Sequence, residues 1–365
     1  MVARFRSVIL LSLLSLVFTA FPACSGSSVS SSPSTSQATA SPSPTGPIGS
    51  SPDTSAQQGV GINGIQSAYV SSTAWLAGYD FNWNLKWKNT NALSGLLPGV
   101  NHFGDIAYYD GQLIAPAEYY YNCSSFGPTV LAVYNAGNGA LTTWSDISAD
   151  LHEASSVAVV PEKDQVVVSS FCDAYQGFTT LWVYNLNTLL NNPPGGVLTA
   201  TTTIRMSIPV QFIQGISWNS TIGQFLASTV GGVAGNLWYI APDGGVTGPA
   251  YVVPGTQSAE LEGLDFTTDN VYYLENGYVT NIGAPVAAPS FSVSSGTYTS
   301  PQTVTISDAN AAAAIHYTID GSMPTAASPV YSAPIPIATT KTLKAIATVS
   351  GSVNSPMTVA TFTIN

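Results

Sequence analysis

One pattern recurs five times between residues 59 and 283, and it constrains the fold more than any other feature of the sequence. Each copy has a short strand, a turn, a second strand of β-branched and aromatic residues, and an outer strand. The expected innermost strands lie 38 to 59 residues apart and are centred on Ala68, Ile106, Val157, Ile216 and Leu264. This period predicts an all-β fold, a five-bladed β-propeller over residues 59–283. We expect the chain before Ser67 to complete the last blade, and a β-sandwich is the structural alternative.

The outer strands of this region show the repeat most clearly, as in Leu131-Ala132-Val133-Tyr134-Asn135 and Leu181-Trp182-Val183-Tyr184-Asn185. In this rhythm the region loosely resembles the secreted β-propellers of the gluconolactonase and strictosidine-synthase families. The resemblance implies the architecture, and gluconolactonase-like propellers hold a metal ion in their central channel. No diagnostic motif of either family is intact, so the resemblance assigns no activity.

The last part of the chain, residues 288–365, has a different character. It contains Gly296-Thr297-Tyr298, then His316-Tyr317-Thr318-Ile319-Asp320-Gly321-Ser322, then Leu343-Lys344-Ala345. In these motifs and their order it resembles the chitobiase/β-hexosaminidase C-terminal domain, which is also appended to some family-29 α-fucosidases. The resemblance implies a small Ig-like β-sandwich with an accessory role. Successive side chains of a strand point to opposite faces, so His316 lies on the other face from Ile315 and we expect it to point outward.

The N-terminus has the features of an export signal. Residues 1–23 combine Arg4 and Arg6 with a short apolar run and read as a signal peptide. The residues before Cys24 resemble a bacterial lipobox, which predicts lipidation of Cys24; cleavage further along by ordinary signal peptidase is the alternative. Residues 24–58 are rich in Ser, Pro and Thr and predict a disordered linker. We therefore expect an exported lipoprotein of the cell envelope or outer membrane, or otherwise a secreted protein.

Charge limits the partners that the chain can bind. Only 7% of its residues are charged, and the formal net charge is −11. An acidic chain repels phosphate backbones and anionic lipid surfaces, which excludes nucleic acid as a partner. We expect contact with a membrane only through the N-terminal lipid.

In a propeller, the residues at the start of the innermost strands and the end of the second strands converge on one mouth of the channel. Oxygen ligands on separate strands suit Ca²⁺ as a cofactor. The alternative is that these acids bond backbone amides of neighbouring blades. His102 and His152 could instead transfer protons, and paired acids such as Asp105 and Glu262 could cleave a glycoside. The candidate ligand or metal residues at this mouth are His102, Asp105, Glu118, His152, Glu153, Gln214 and Glu262, with Asp173 and Glu275 nearby.

Two cysteines and several aromatic residues follow the second strands of consecutive blades. In an exported protein Cys123 and Cys172 predict a disulfide, with two free buried thiols as the alternative. An aromatic binding rim is predicted there, although aromatic residues also serve blade packing. Its candidate members are Tyr119, Tyr120, Tyr121, Trp144, Tyr175 and Phe178.

The sequence lacks a Gly-x-Ser-x-Gly elbow, a P-loop and a His-Glu-x-x-His zinc motif. We therefore predict no catalytic residue and a non-catalytic role at the cell surface, the recognition of a glycan or a surface protein. The alternative is an enzyme, either a metal-dependent lactonase-like hydrolase or a glycosidase, that acts at the channel mouth.

Overall fold

The computed structural model describes residues 58–64, 66–121, 123, 127–172, 180–210, 212–229, 237–251, 261–267, 270–275 and 278–365. The predicted signal peptide, Cys24 and nearly all of the predicted linker lie outside these residues, as do Asp173, Tyr175 and Phe178. In the described part of the chain, no helix is long and apolar enough to cross a membrane.

Two antiparallel sheets open the described chain. Sheet 1 consists of β1 (Gly59–Asn63), β2 (Ser67–Ser71), β3 (Leu76–Asp80) and β4 (Leu85–Asn89), paired in that order. Sheet 2 consists of β5 (His102–Phe103), β6 (Ala107–Tyr109), β7 (Gln112–Glu118), β8 (Thr129–Asn135) and β9 (Leu141–Asp146). In sheet 2 both β5 and β6 pair with β7.

Three further sheets follow in the same manner. Sheet 3 consists of β10 (Ser156–Val160), β11 (Gln165–Ser169), β12 (Thr180–Asn185) and β14 (Thr202–Arg205); between the last two lie helix α1 (Leu186–Asn191) and β13 (Gly196–Val197), which pairs with β9. Sheet 4 consists of β15 (Ile213–Asn219), β16 (Gln224–Thr229), β17 (Leu237–Ile240) and β18 (Val246–Tyr251). Sheet 5 has three strands, β19 (Leu261–Phe266), β20 (Asn270–Glu275) and β21 (Tyr278–Gly283).

The first strands of these sheets contact one another in a closed ring. β1 contacts β6 and β19, β10 lies between β6 and β15, and β15 contacts β19. Successive meander sheets arranged radially around their inner strands are the architecture of a β-propeller, so the predicted all-β propeller is confirmed, while the number of blades stays a prediction. We call the end of the ring where β1, β10, β15 and β19 begin the mouth end.

Glycines allow the inner strands to approach closely at the mouth end. A Cβ atom on Gly215 would lie 2.6 Å from Leu264 N, and one on Gly263 would lie 2.6 Å from Val60 N. A Cβ on Gly104 would overlap the backbone oxygen of Ser155. Only glycine fits such approaches of backbone to backbone. The glycines therefore allow the inner strands to pack backbone against backbone at the mouth end.

The structure corrects the prediction for the first repeat. Ser67, Ala68 and Tyr69 lie in β2, the second strand of sheet 1, and the innermost strand is β1. β1 pairs with β2 rather than with a strand of sheet 5, so the chain just before Ser67 does not complete the last sheet. The short Gly-Val-Gly-Ile-Asn segment of β1 has few side chains to bury, and tertiary packing decides its role.

The C-terminal module forms a small β-sandwich, as the sequence predicts. Its strands are β22 (Ser290–Phe291), β23 (Gly296–Tyr298), β24 (Gln302–Val304), β25 (Ile306–Ser307), β26 (Ala314–Thr318), β27 (Ile335–Ile337), β28 (Lys341–Thr348) and β29 (Thr358–Ile364). Val304, Leu343 and Phe362 are fully buried in its core. His316 lies on the opposite face of its strand from Ile315, as predicted, but it is buried rather than exposed. The chain around Ser328 covers it, and His316 Nδ1 forms a hydrogen bond with Ser328 O at 2.9 Å.

The module also attaches to the open edge of sheet 5. Gly283 N donates to Gly351 O, and Val353 N donates to Gly283 O at 3.1 Å, in a parallel arrangement. The Val353 side chain is fully buried in the cluster formed with Leu261 and Leu264. The segment 351–353 thus extends the one propeller sheet that has three strands, and the module is packed against the propeller rather than tethered to it.

Candidate functional site

Asp105, a predicted site residue, is fully buried where sheets 1, 2 and 5 meet. Its Oδ1 accepts hydrogen bonds from Val60 N at 2.9 Å and Ile106 N at 2.8 Å, and its Oδ2 accepts one from Leu264 N at 3.2 Å. Burial raises the pKa of Asp105 well above its usual value, although the three amides oppose this shift. The side chain therefore links the inner strands of the first, second and last sheets.

Asp265, which the sequence reading missed, makes a second link of the same kind. Its Oδ2 accepts from Ile62 N at 2.7 Å, and its Oδ1 accepts from Ser217 Oγ at 2.8 Å and Phe266 N at 2.8 Å. Burial raises its pKa to about 6. A recurring Gly-x-polar pattern, Gly215-Ile216-Ser217 and Gly263-Leu264-Asp265, could have identified this position.

Glu118 and His102 lie together at the interface of sheets 2 and 3. Glu118 Oε2 accepts from Ala154 N at 2.6 Å, and its Oε1 is 3.2 Å from His102 Nδ1, in a geometry that is not a hydrogen bond. Burial raises the pKa of Glu118 to about 8 and lowers that of His102 to about 4, which nearby Glu153 opposes. At neutral pH the contact is therefore one between a neutral imidazole and a largely protonated carboxyl group.

Glu153, also buried, bonds the chain that follows β11. Its Oε2 accepts from Ser170 Oγ at 2.6 Å, Phe171 N at 2.7 Å and Cys172 N at 3.0 Å. Burial, together with a smaller contribution from Glu118, raises its pKa to about 8. Glu153 thus fixes the loop that carries Cys172.

The remaining predicted residues are placed differently from one another. Gln214 and Glu262 occupy equivalent positions, because each lies where the register of its inner strand shifts, between Ile213 and Gly215 and between Leu261 and Gly263. Glu262 is buried and Gln214 is half-buried. His152 is exposed while His102 is half-buried, so the two imidazoles lie in different environments. Glu275 is half-buried at the end of β20, and burial raises its pKa.

These residues do not fit a Ca²⁺ ion in the channel. The carboxyl oxygens of Asp105 accept from three N–H donors, and Glu118 Oε2 also accepts from an amide N–H, that of Ala154. Such an arrangement favours an anion or a bound carboxyl group and disfavours a cation. Among the residues that the structure describes, no group of three or more His, Cys, Asp or Glu side chains is arranged to hold a metal ion.

The aromatic residues at the mouth end partly follow the prediction. Tyr121 is 69% exposed, and the loop that carries it is fixed because Tyr120 N donates to Asn101 Oδ1 while Asn101 Nδ2 donates to Tyr120 O. The ring of Tyr120 lies 5.1 Å from that of His102. Trp144 was predicted at the rim but is buried in the core beside β8, because it faces inward on β9.

Two phenylalanines that the sequence reading missed also lie at the mouth end. Phe171 follows β11 and Phe212 immediately precedes β15, and their ring centroids are 5.1 Å apart. Each is an aromatic residue just outside a strand at the mouth end, and that shared position is the signal that could have found them.

The predicted disulfide joins the loops of sheets 2 and 3. Cys123 and Cys172 are bonded, with their Cα atoms 5.2 Å apart. The bond crosses the same interface as the Glu118 to Ala154 hydrogen bond.

Comparisons with known proteins agree with this division of the chain. Residues 293–361 match the model of the chitobiase/beta-hexosaminidase C-terminal domain family, which confirms the resemblance of that module. An endoglucanase from Clostridium saccharobutylicum is 43% identical over 64 residues, which cover 18% of this chain and 14% of the endoglucanase. Among solved structures, a gluconolactonase from Xanthomonas campestris is 12% identical, with a TM-score of 0.40 over 61% of this chain and 70% of that chain. Residues 293–361 thus form a carbohydrate-associated β-sandwich module.

Proposed function

We propose that this protein is an exported, lipid-anchored protein that binds an uncharged glycan at the mouth end of its propeller without catalysing a reaction. Cys24 carries the lipid in this proposal, and residues 24–58 form the spacer between the anchor and the folded body.

One observation carries the non-catalytic part of the proposal. The carboxyl groups of Asp105, Glu118 and Glu153 are buried and accept backbone amide hydrogen bonds. A general acid or a nucleophile must reach the substrate, and both oxygens of Asp105 and one oxygen each of Glu118 and Glu153 are engaged with the protein instead. The acids therefore maintain the arrangement of the sheets that present the mouth end.

Charge and aromatic residues support a glycan as the ligand. No Lys or Arg occurs in the segments that connect strands at the mouth end, although Lys88 of β4 reaches it, with Nζ 3.8 Å from the centroid of the Trp75 ring. The mouth end is therefore poor in the basic residues that bind phosphate, sulfate or uronate. Tyr121 offers an exposed ring, and flat rings pack against the apolar faces of sugars. The C-terminal module belongs to a carbohydrate-associated family, and its relative is named an endoglucanase, which favours a polysaccharide.

Affinity gel electrophoresis tests the proposal with soluble neutral polysaccharides, such as β-glucan, xyloglucan and galactomannan, and with polygalacturonate as the anionic comparison. We expect retardation by at least one neutral polysaccharide and none by polygalacturonate. Tyr121→Ala should weaken the retardation, whereas Leu85→Ala, which removes an exposed apolar side chain on β4, should not.

The same mixtures are assayed for new reducing ends. The proposal predicts none. Retardation by no neutral polysaccharide would contradict glycan binding, and release of reducing ends that disappears in Asp105→Asn would favour a glycosidase.

A further inference from the structure

Two methionines of the C-terminal module meet the propeller at one cleft. The sequence has four methionines, and three of them, Met206, Met323 and Met357, lie in the described part of the chain. Met206 is buried in the apolar cluster of sheets 3 and 4. Met323 and Met357 are half-buried and line a cleft between the module and sheet 4, which we call the junction cleft. Two thioether side chains from separate segments of the module thus lie where it contacts the propeller.

The junction cleft is lined mainly by apolar groups. The propeller side includes Pro249 and Ala250 of β18, and the module side includes Pro324 and Ile346 besides the two methionines. The cleft has space for about one water-sized molecule. A small polar reagent can therefore enter it, although its walls offer few hydrogen bonds.

The hydrogen bonds that join the module to the propeller border this cleft. Tyr239 Oη donates to Asn354 O at 2.6 Å, and Asn354 N donates to Ala250 O at 2.8 Å. All three residues line the junction cleft. The preceding residue, Val353, donates from its backbone N to Gly283 O at 3.1 Å. A change of polarity in the cleft therefore acts beside the contacts that hold the module in place.

Thioether sulfur is oxidised by hydrogen peroxide. The sulfur gives up two electrons and takes one oxygen atom, so that an S–O bond forms, the O–O bond breaks and the peroxide leaves as water. Hydrogen peroxide is only slightly larger than water, so the junction cleft admits it to Met323 and Met357. Met206 is only 8% exposed in the core, which makes it the less accessible methionine.

A sulfoxide in the junction cleft favours separation of the module from the propeller. The sulfoxide oxygen is a polar acceptor, and burying it without a donor costs free energy. The Pro249 and Ile346 side chains offer no donor, whereas water does once the two surfaces move apart. Thr247 Oγ1, a buried hydroxyl of the cleft without a hydrogen-bond partner, can serve one sulfoxide oxygen at most. We therefore expect the larger effect when both methionines are oxidised.

We propose that Met323 and Met357 are a modification site for hydrogen peroxide, and that their conversion to methionine sulfoxide releases the C-terminal module from the propeller. This proposal does not depend on the proposed glycan binding. It assigns the two methionines a role at the junction, where the unmodified side chains keep the contact closed and the oxidised ones open it.

The test treats the full chain with hydrogen peroxide and measures two quantities. Peptide mapping by mass spectrometry should show sulfoxide at Met323 and Met357 before Met206. Amide exchange should then accelerate about 5- to 100-fold at Val353 and Asn354, because their N–H groups donate across the junction. Exchange in β28, whose strand pairing lies within the module, should stay unchanged.

Two leucine substitutions separate the cleft from the other methionine. Met323→Leu/Met357→Leu keeps an apolar side chain of similar volume at both positions, so it should exchange like the untreated wild type before and after peroxide. Met206→Leu, the matched control, should respond to peroxide as the wild type does.

Several results would overturn the proposal, and those from the wild type need no variant to fold. One is oxidation of Met206 as fast as that of Met323 and Met357. Another is unchanged exchange at Val353 and Asn354 in the oxidised wild type. Equal acceleration in the double leucine variant would place the effect elsewhere in the chain. Faster exchange in β28 as well would show that the module unfolds instead of separating from the propeller.

Discussion

Raising the pH from 4.5 to 8 should destabilise the protein through Glu118. Burial raises the pKa of this carboxyl group from 4.5 to about 8, so the folded protein retains a proton that the unfolded chain releases. Stability falls with pH wherever the native state binds more protons. At about 1.4 kcal/mol per pKa unit, Glu118 alone lowers the free energy of unfolding by about 4 kcal/mol across this interval. The raised pKa values of Glu153 and Asp265 act in the same direction.

Urea unfolding at pH 4.5, 6 and 8, followed by tryptophan fluorescence, measures this change. Glu118→Gln keeps an oxygen that accepts from Ala154 N and removes the titration. It should therefore lose about 4 kcal/mol less than the wild type between pH 4.5 and 8. Asp110→Asn makes the same charge change at an exposed turn and should follow the wild type. A wild-type stability that is constant or rises over this interval would refute the reasoning, as would equal slopes in the wild type and Glu118→Gln.

Three further predictions concern the packing of the ring and its attachments. Gly104→Ala should cost about 1–3 kcal/mol in urea unfolding because the new Cβ meets the backbone of Ser155, whereas exposed Gly137→Ala should be close to neutral; equal effects would contradict the close approach of the strands. Val353→Ala should cost about 2 kcal/mol and speed amide exchange in sheet 5, and Val359→Ala, at an exposed site of the same module, should do neither. Reducing the disulfide, which closes 49 residues, should lower the free energy of unfolding by about 4 kcal/mol, and an unchanged Tm under reductant would refute this.

Strand positions follow from the sequence wherever a strand buries a regular apolar pattern. The innermost strands beginning near Val157, Ile216 and Leu264 lie where alternation predicts them. β1 escaped the prediction because two of its five residues are glycines, so its apolar alternation consists of Val60 and Ile62 alone. Its place in the ring is set by close backbone contact with Asp105, which is 45 residues away and invisible to local pattern.

The candidate site was likewise predictable only in part from the sequence. Sequence position identified Asp105, Glu118 and Glu153 as residues at the mouth end, because the ends of strands are readable from the repeat. Whether a carboxyl group meets a ligand or an amide depends on which neighbouring strand faces it. For Asp105 the deciding partners are Val60 N and Leu264 N, and only the assembled ring brings them together.

The account rests on the claim that the carboxyl groups at the channel are structural and do not bind a metal ion. Thermal unfolding of the full chain, first in EDTA and then with excess Ca²⁺, tests this most directly. A bound ion at a hundredfold excess over its dissociation constant would add about 2.7 kcal/mol of stability. The account predicts the same Tm in both solutions. A rise with Ca²⁺ that Asp105→Asn abolishes would contradict it.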